Sequence, residues 1–186
     1  MRIIAGEWRS RALASVGKGD AGAHLRPTTD RTRESLFSML AGGRFDDPIT
    51  GARVLDLFAG TGALGLEALS RGAAQATFVE DGRKALSLLR QNVEICGAQP
   101  RCTVLRRDAR RLGANEGAAH DLVFLDPPYG KGLGEKAMAA ALKGGWIAPG
   151  ALVVWEESAD IVPPEGLMLL DSRLYGDTEI TLLRAR

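Results

Sequence analysis

The chain has 186 residues, 45% of them hydrophobic and 25% charged, with a formal net charge of +1. That length buries one continuous core, and the near-neutral balance excludes a protein that coats nucleic acid through bulk electrostatics. No apolar run reaches the length of a membrane span, the N-terminus turns polar by Glu7, and Cys96 and Cys102 form neither a CxxC nor a Cys/His cluster; a cytoplasmic protein with reduced thiols and no metal site is expected.

Charge is unevenly placed along the chain. Residues 1–44 hold eight Arg and Lys against four Asp and Glu, a net of +4, whereas residues 45–186 hold sixteen against nineteen, a net of −3. This divides the sequence into a basic N-terminal extension, 1–44, and a mildly acidic body, 45–186. In the extension, Arg2 to Leu13 is a strand-like stretch that suits a hairpin, and Ser15 to Ala23 is a Gly/Ala/Ser-rich loop. After Pro27, Thr29 or Asp30 can cap a helix over Arg31 to Leu40, with Leu36, Phe37 and Leu40 against the body and Arg31 and Arg33 open to solvent.

From Arg53 onward short apolar runs alternate with amphipathic stretches, the pattern of βα units feeding a mainly parallel sheet. Strands are predicted over Arg53–Leu57, Ala76–Glu80, Cys102–Arg106, Asp121–Leu125, Ala151–Trp155, Leu167–Leu174 and Glu179–Leu183, and helices over Ala63–Arg71, Arg83–Cys96 and Gly134–Lys143. The last two strands are joined by Tyr175-Gly176-Asp177-Thr178, short enough for an antiparallel pair. The fold class is α/β.

The first strand of the body, ending Asp56-Leu57-Phe58, runs into Ala59-Gly60-Thr61-Gly62 and then a helix, which places a glycine turn at the carboxyl end of a sheet strand, where α/β proteins bind ligands. Glu80, at the end of the next strand, stands 20 residues beyond Gly60, where an acid can hold ribose hydroxyls. A nucleoside cofactor is expected, and this spacing alone fits NAD as well as S-adenosyl-L-methionine (AdoMet). Asp56 tips the reading toward AdoMet, because a carboxylate beside the turn suits a cationic aminoacyl group and repels a pyrophosphate. Asp108-Ala109 follows the third strand and can either contact an adenine or cap a helix.

The tetrad Asp126-Pro127-Pro128-Tyr129 follows the apolar strand that ends at Leu125, and so lies at the same sheet edge. Two prolines fix the backbone there. The Asp126 carboxylate and the Pro127 carbonyl can then accept from both protons of one planar NH2 group, while Tyr129 offers a face for base stacking. An exocyclic amine is a poor nucleophile because its lone pair is delocalised, and acceptors on its protons favour pyramidalisation during attack. The product nitrogen is acidic, so no strong base is required and neither His24 nor His120 needs a catalytic role; His120 is expected in a loop before its strand.

These motifs resemble the class I, Rossmann-like amino-methyltransferases. Arg2-Ile3-Ile4-Ala5-Gly6, Trp8-Arg9, Arg11, Leu25 to Arg31, Arg33-Glu34 and Leu36-Phe37 are similar to the opening of the RsmD-type bacterial 16S ribosomal RNA guanine-N2 methyltransferases. Leu57 to Gly60, Gly62 to Ala68, and Tyr175-Gly176 with Thr178 fit the same family, while Ser10 stands where a glycine is expected. The resemblance implies a Rossmann-like sheet and AdoMet as donor, leaving as S-adenosyl-L-homocysteine. It further implies a target guanine in 16S rRNA of an assembled or nearly assembled small subunit; separately from the resemblance, a monomer is expected. By the same match Asp126, Pro127 and Tyr129 form the guanine pocket, Glu80 holds the ribose of AdoMet and Asp108 sits near its adenine. The motifs themselves add Pro128 to the expected catalytic site and Asp56, Phe58, Ala59, Gly60, Thr61, Gly62 and Ala109 to the expected cofactor site, and the charge asymmetry makes Arg2, Arg9, Arg11, Arg26, Arg31 and Arg33 candidates to track RNA phosphates.

Four rival readings are weaker. A DNA adenine-N6 methyltransferase needs a target-recognition region for which little chain remains, and a protein-glutamine methyltransferase normally carries Asn where this chain has Asp126. A NAD-dependent oxidoreductase leaves the tetrad without a task. An inactive ribosome-assembly factor is disfavoured by intact glycines and an intact tetrad.

Overall fold

A computed structural model describes residues 1–15 and 30–186. The expected helix cap at Thr29, His24, Arg26 and residues 16–23 of the Ser15 to Ala23 loop lie outside the described residues. The elements in chain order are α1 (Asp30–Ala41), β1 (Arg53–Leu57), α2 (Ala63–Ser70), β2 (Gln75–Glu80), α3 (Arg83–Cys96), β3 (Cys102–Arg106), β4 (His120–Leu125), α4 (Leu133–Lys143), β5 (Ile147–Glu157), β6 (Leu167–Tyr175) and β7 (Thr178–Ala185).

The seven strands form one sheet in the order β3-β2-β1-β4-β5-β7-β6. The first five are parallel, β7 runs antiparallel to β5, and β6 antiparallel to β7. Because β1 lies between β2 and β4, the chain reverses its direction of travel there, and the carboxyl ends of β1 and β4 form the switch point at which α/β sheets bind ligands. β1 and β4 are buried along nearly their whole length, as expected of central parallel strands covered on both faces. β5 starts four residues earlier than predicted. Pro149-Gly150 reads as a breaker in sequence, yet the strand carries it through an irregular register opposite His120 and Leu122, where a missing N–H is tolerated.

Alternation along the strands sends Val54, Phe78, Leu122 and Phe124 to one face, under α1, α2 and α3, and Leu55, Leu57, Val123 and Leu125 to the other, under α4. The N-terminal residues belong to the first face. Their hairpin closes through an Arg2–Ala12 bridge, with Ile3 N donating to Arg11 O at 2.9 Å and Ser10 N to Ile3 O at 2.8 Å. Ile3, Trp8 and Leu13 are buried in the same core as Leu36, Phe37 and Leu40 of α1, and the Phe37 ring meets Phe124 of β4 at 5.7 Å. Each such side chain contributes roughly 1.5–3 kcal/mol of burial, so hairpin and sheet share one core.

Polar groups complete the attachment. The buried Glu67 of α2 accepts from Ile4 N at 2.8 Å and Ala5 N at 3.1 Å, and Ser70 Oγ accepts from Trp8 N at 3.0 Å. The fully buried Asn92 of α3 pairs with both backbone groups of Ala14 and also donates to Thr61 O at 2.9 Å. Among the described residues no helix is long and apolar enough to cross a membrane.

Candidate active site

Strand register assembles the site. Leu57 of β1 is opposite Leu125 of β4 and Val79 of β2, so Phe58, Asp126 and Glu80 leave three adjacent strands side by side. Trp155 of β5 is opposite Leu125, which puts Glu156 next to Asp126 on the other flank. The two motifs predicted to work together are thereby brought to one edge, with the Asp126 amide 3.5 Å from Leu57 O.

The loop after β1 turns through three left-handed residues, Phe58 at φ +57°, Gly60 at +57° and Gly62 at +79°. For Phe58 this conformation is strained, and such strain persists where surrounding structure over-determines it. Part of that determination is visible: Ala59 N donates to Val79 O at 3.0 Å, and Gly60 N donates to Glu80 Oε2 at 2.8 Å. Gly62 serves packing as well as conformation, since a Cβ there would lie 2.4 Å from Leu89 Cδ1 of α3.

Glu80 is half-buried and accepts from Gly60 N and from Gly82 N at 2.7 Å; burial raises its pKa above the usual carboxylate value, against the lowering effect of those two amides. A carboxylate has about four lone-pair sites, so two remain for ribose hydroxyls. The residues therefore fit a nucleoside held across the loop.

Asp56 differs from expectation. It is 1% exposed, and its Oδ2 accepts from Gly65 N at 2.9 Å, so the carboxyl lies beneath the loop and secures the start of α2 where it was expected to face a ligand. Burial pushes its pKa up to about 8. Asp108 adopts the capping alternative: it accepts from Arg110 N at 2.9 Å at the head of the 3-10 turn Ala109–Arg111, and forms a two-pronged ion pair with the Arg110 guanidinium. Arg110 holds the Asp108 carboxyl below its ordinary value. Ala109 is buried.

In the tetrad Pro127 is buried and Asp126, Pro128 and Tyr129 are half-buried. The Tyr129 hydroxyl donates to Glu156 Oε1 at 2.6 Å and lies 3.3 Å from Thr178 Oγ1, while Gly130 N donates to Glu157 Oε1 at 3.1 Å. Desolvation and Glu156 raise the phenol above its ordinary pKa, keeping it a neutral donor. Sequence reasoning missed Glu156 and Glu157. Two successive acids ending an apolar strand in register with β4 were the available signal.

Of the basic residues, Arg2, Arg9, Arg11 and Arg31 are exposed, and Arg2, Arg9 and Arg31 line a groove of about 350 Å³ between the hairpin and α1. Arg33 is a correction: it is 0% exposed, and its Nη2 donates to Arg2 O at 2.6 Å and Asp30 Oδ1 at 2.7 Å. It braces the hairpin against α1 and cannot meet a phosphate. His120 is also corrected, being the buried first residue of β4, stacked on Trp146 at 5.9 Å with its ring nitrogens at Trp146 O and Thr77 Oγ1. Among the described residues no group of three or more His, Cys, Asp and Glu is placed to hold a metal ion.

Comparison with known proteins places these features in a family. Ribosomal RNA small subunit methyltransferase D of Escherichia coli K12 is 41% identical over 160 residues, covering 86% of this chain and 76% of the relative. The protein of the same description from Haemophilus influenzae is 35% identical over 181 residues, covering 95% of this chain and 89% of the relative. The solved Escherichia coli protein yhhF, described as a candidate methyltransferase, superposes with a TM-score of 0.83 at 38% identity, over 100% of this chain and 97% of that one. The family described as Conserved hypothetical protein 95 matches residues 1–184, and together with these relatives it shows that the chain belongs to that family, the one that includes ribosomal RNA small subunit methyltransferase D.

Proposed function

We propose that this protein is an AdoMet-dependent methyltransferase acting on the exocyclic N2 amine of a guanine in 16S rRNA of the small ribosomal subunit. The observation that carries the reading is the register Leu57–Leu125, which sets Asp126-Pro127-Pro128-Tyr129 beside the glycine loop and Glu80. Bound AdoMet supplies an electrophilic methyl group. Gly60, Gly62 and Ala59 offer a backbone cradle, Glu80 takes the ribose hydroxyls, and the turn that Asp108 caps borders the adenine side, with the Asp108 carboxylate itself held by Arg110.

Asp126 and the Pro127 carbonyl accept from the two N2 protons, which orients the nitrogen lone pair toward the donor and favours its pyramidal form. Tyr129 stacks on the base, which must be exposed in a loop or turned out of its stack to reach the edge of the sheet. As the N–C bond forms, the bond between the methyl carbon and the donor sulfur breaks and S-adenosyl-L-homocysteine leaves; the cationic, acidic nitrogen then loses its proton to water or to Asp126.

Arg2, Arg9, Arg11 and Arg31 form the RNA-facing side of residues 1–44, with Arg26 assigned to it from sequence. A local basic face on a near-neutral protein suits a folded ribonucleoprotein target in the cytoplasm, met by a monomer that needs no metal.

The test is transfer of labelled methyl to small subunits lacking the modification, beside naked 16S RNA and duplex DNA. N2-methylguanosine on subunits is expected, and Asp126→Ala lowers transfer at least ~100-fold while AdoMet affinity stays within about 2-fold. Near-normal turnover of Asp126→Ala refutes the assignment. Absence of label on any RNA, despite AdoMet binding, refutes the target.

A further inference from the structure

We infer that Glu156, at the end of β5, is the positioning residue that fixes the plane of the Tyr129 ring, with Thr178 and Glu157 completing the clamp. The inference rests on the reading of Tyr129 as the platform for the target base. Pro127 and Pro128 settle where the loop leaves β4, but a tyrosine beyond them still turns about two side-chain bonds. A stacked base is held in productive orientation only within about 10–20°, so something must tether the far end of the ring.

Glu156 is built for that. It is 6% exposed, lies in a strand paired on both sides, opposite Ile180 of β7 and one residue past the Trp155–Leu125 pair, and so has little backbone freedom. The 2.6 Å separation between Tyr129 Oη and Glu156 Oε1 is the length of a charge-assisted O–H···O bond, stronger and more directional than a neutral one. Thr178, first residue of β7, approaches the same hydroxyl at 3.3 Å from the neighbouring strand. Glu157, 8% exposed, takes the next backbone amide, Gly130 N, at 3.1 Å. Two successive acids thus grip two successive residues of the loop, one through its side chain and one through its main chain.

The experiment measures kcat and KM on unmodified small subunits, and AdoMet affinity by calorimetry, for Tyr129→Phe, Glu156→Gln, Glu156→Leu and the double variant Tyr129→Phe/Glu156→Leu, with Tyr129→Ala as reference. Tyr129→Phe and Glu156→Leu are each expected to lower kcat about 10-fold with AdoMet affinity unchanged. Glu156→Gln, whose amide oxygen still accepts, stays within about 2-fold. The double variant loses no more than the worse single variant, because both remove one contact.

Multiplying losses in the double variant, about 100-fold in all, overturn the inference. So does a normal Glu156→Leu enzyme alongside an inactive Tyr129→Ala. Normal turnover by Tyr129→Ala overturns instead the reading of Tyr129 as base platform. Tyr129→Phe leaves the acid in place and keeps the test valid should Glu156→Leu fail to fold.

Discussion

Glu67→Gln probes how the N-terminal hairpin is held. Glu67 is 0% exposed; its Oε2 accepts from Ile4 N at 2.8 Å, and its Oε1 accepts from Ala5 N at 3.1 Å and from Arg71 Nε at 2.7 Å. An amide in the same volume has one acceptor atom where three donors converge on two. In its better orientation it keeps Ala5 and Arg71 but turns NH2 toward the Ile4 amide. That leaves a buried donor unsatisfied, at about 1–3 kcal/mol, and weakens the pair with Arg71 by up to about 1 kcal/mol. The expected loss is about 1–4 kcal/mol, or roughly 2–16 °C in Tm for a chain of this size. Urea unfolding measures the global loss, and hydrogen exchange at residues 2–13 shows whether the hairpin opens first. Since Arg2, Arg9 and Arg11 ride on that hairpin, KM for small subunits should rise while AdoMet affinity holds. A loss under about 1 kcal/mol with hairpin amides still protected would refute the account.

Asp56 makes ligand-free stability depend on pH. The unfolded chain ionises this group near 3.8 and the folded protein near about 8, so its favourable contribution is fully present below about 3.8 and is lost as pH rises toward 8, by up to ~1.4 kcal/mol per pH unit. Asp56→Asn keeps an oxygen for Gly65 N without titrating. Its Tm relative to the native protein should therefore climb between pH of about 4 and about 8; parallel profiles would sink the argument. Ser10 occupies the left-handed region at φ +66°, a conformation that costs a residue with a Cβ about 1–2 kcal/mol. Ser10→Gly trades that strain for unfolded-state entropy, and a gain of about 0.5–1 kcal/mol in urea unfolding is expected; a destabilised variant contradicts it.

Most of the architecture was legible because periodicity reports burial directly. The strands over Arg53–Leu57 and Cys102–Arg106 and the helix over Arg83–Cys96 match the observed elements residue for residue, since apolar alternation and helical spacing are local properties. The positive φ of Ser10 also explains why a glycine was expected at that place in the family.

Arg33 was misplaced by reading charge as exposure. Its spacing told otherwise: positions 33, 36, 37 and 40 follow one helical face, and Leu36, Phe37 and Leu40 are all buried with it. Asp56 was misjudged for a related reason, because strand alternation sends it to the face covered by α2, where the Gly65 amide takes its carboxyl.

By itself, the sequence determined the order and type of the elements, the glycine turn after β1 and the proline-fixed tetrad after β4, each a property of a few consecutive residues. Only the tertiary structure decided that Asp56 lies buried beneath the glycine loop, that Glu67 and Arg33 hold the hairpin to the body, and that Glu156 and Thr178 meet Tyr129. Those relations join residues up to 63 positions apart, and pairing at such separations is set by strand register and packing, which no local pattern encodes.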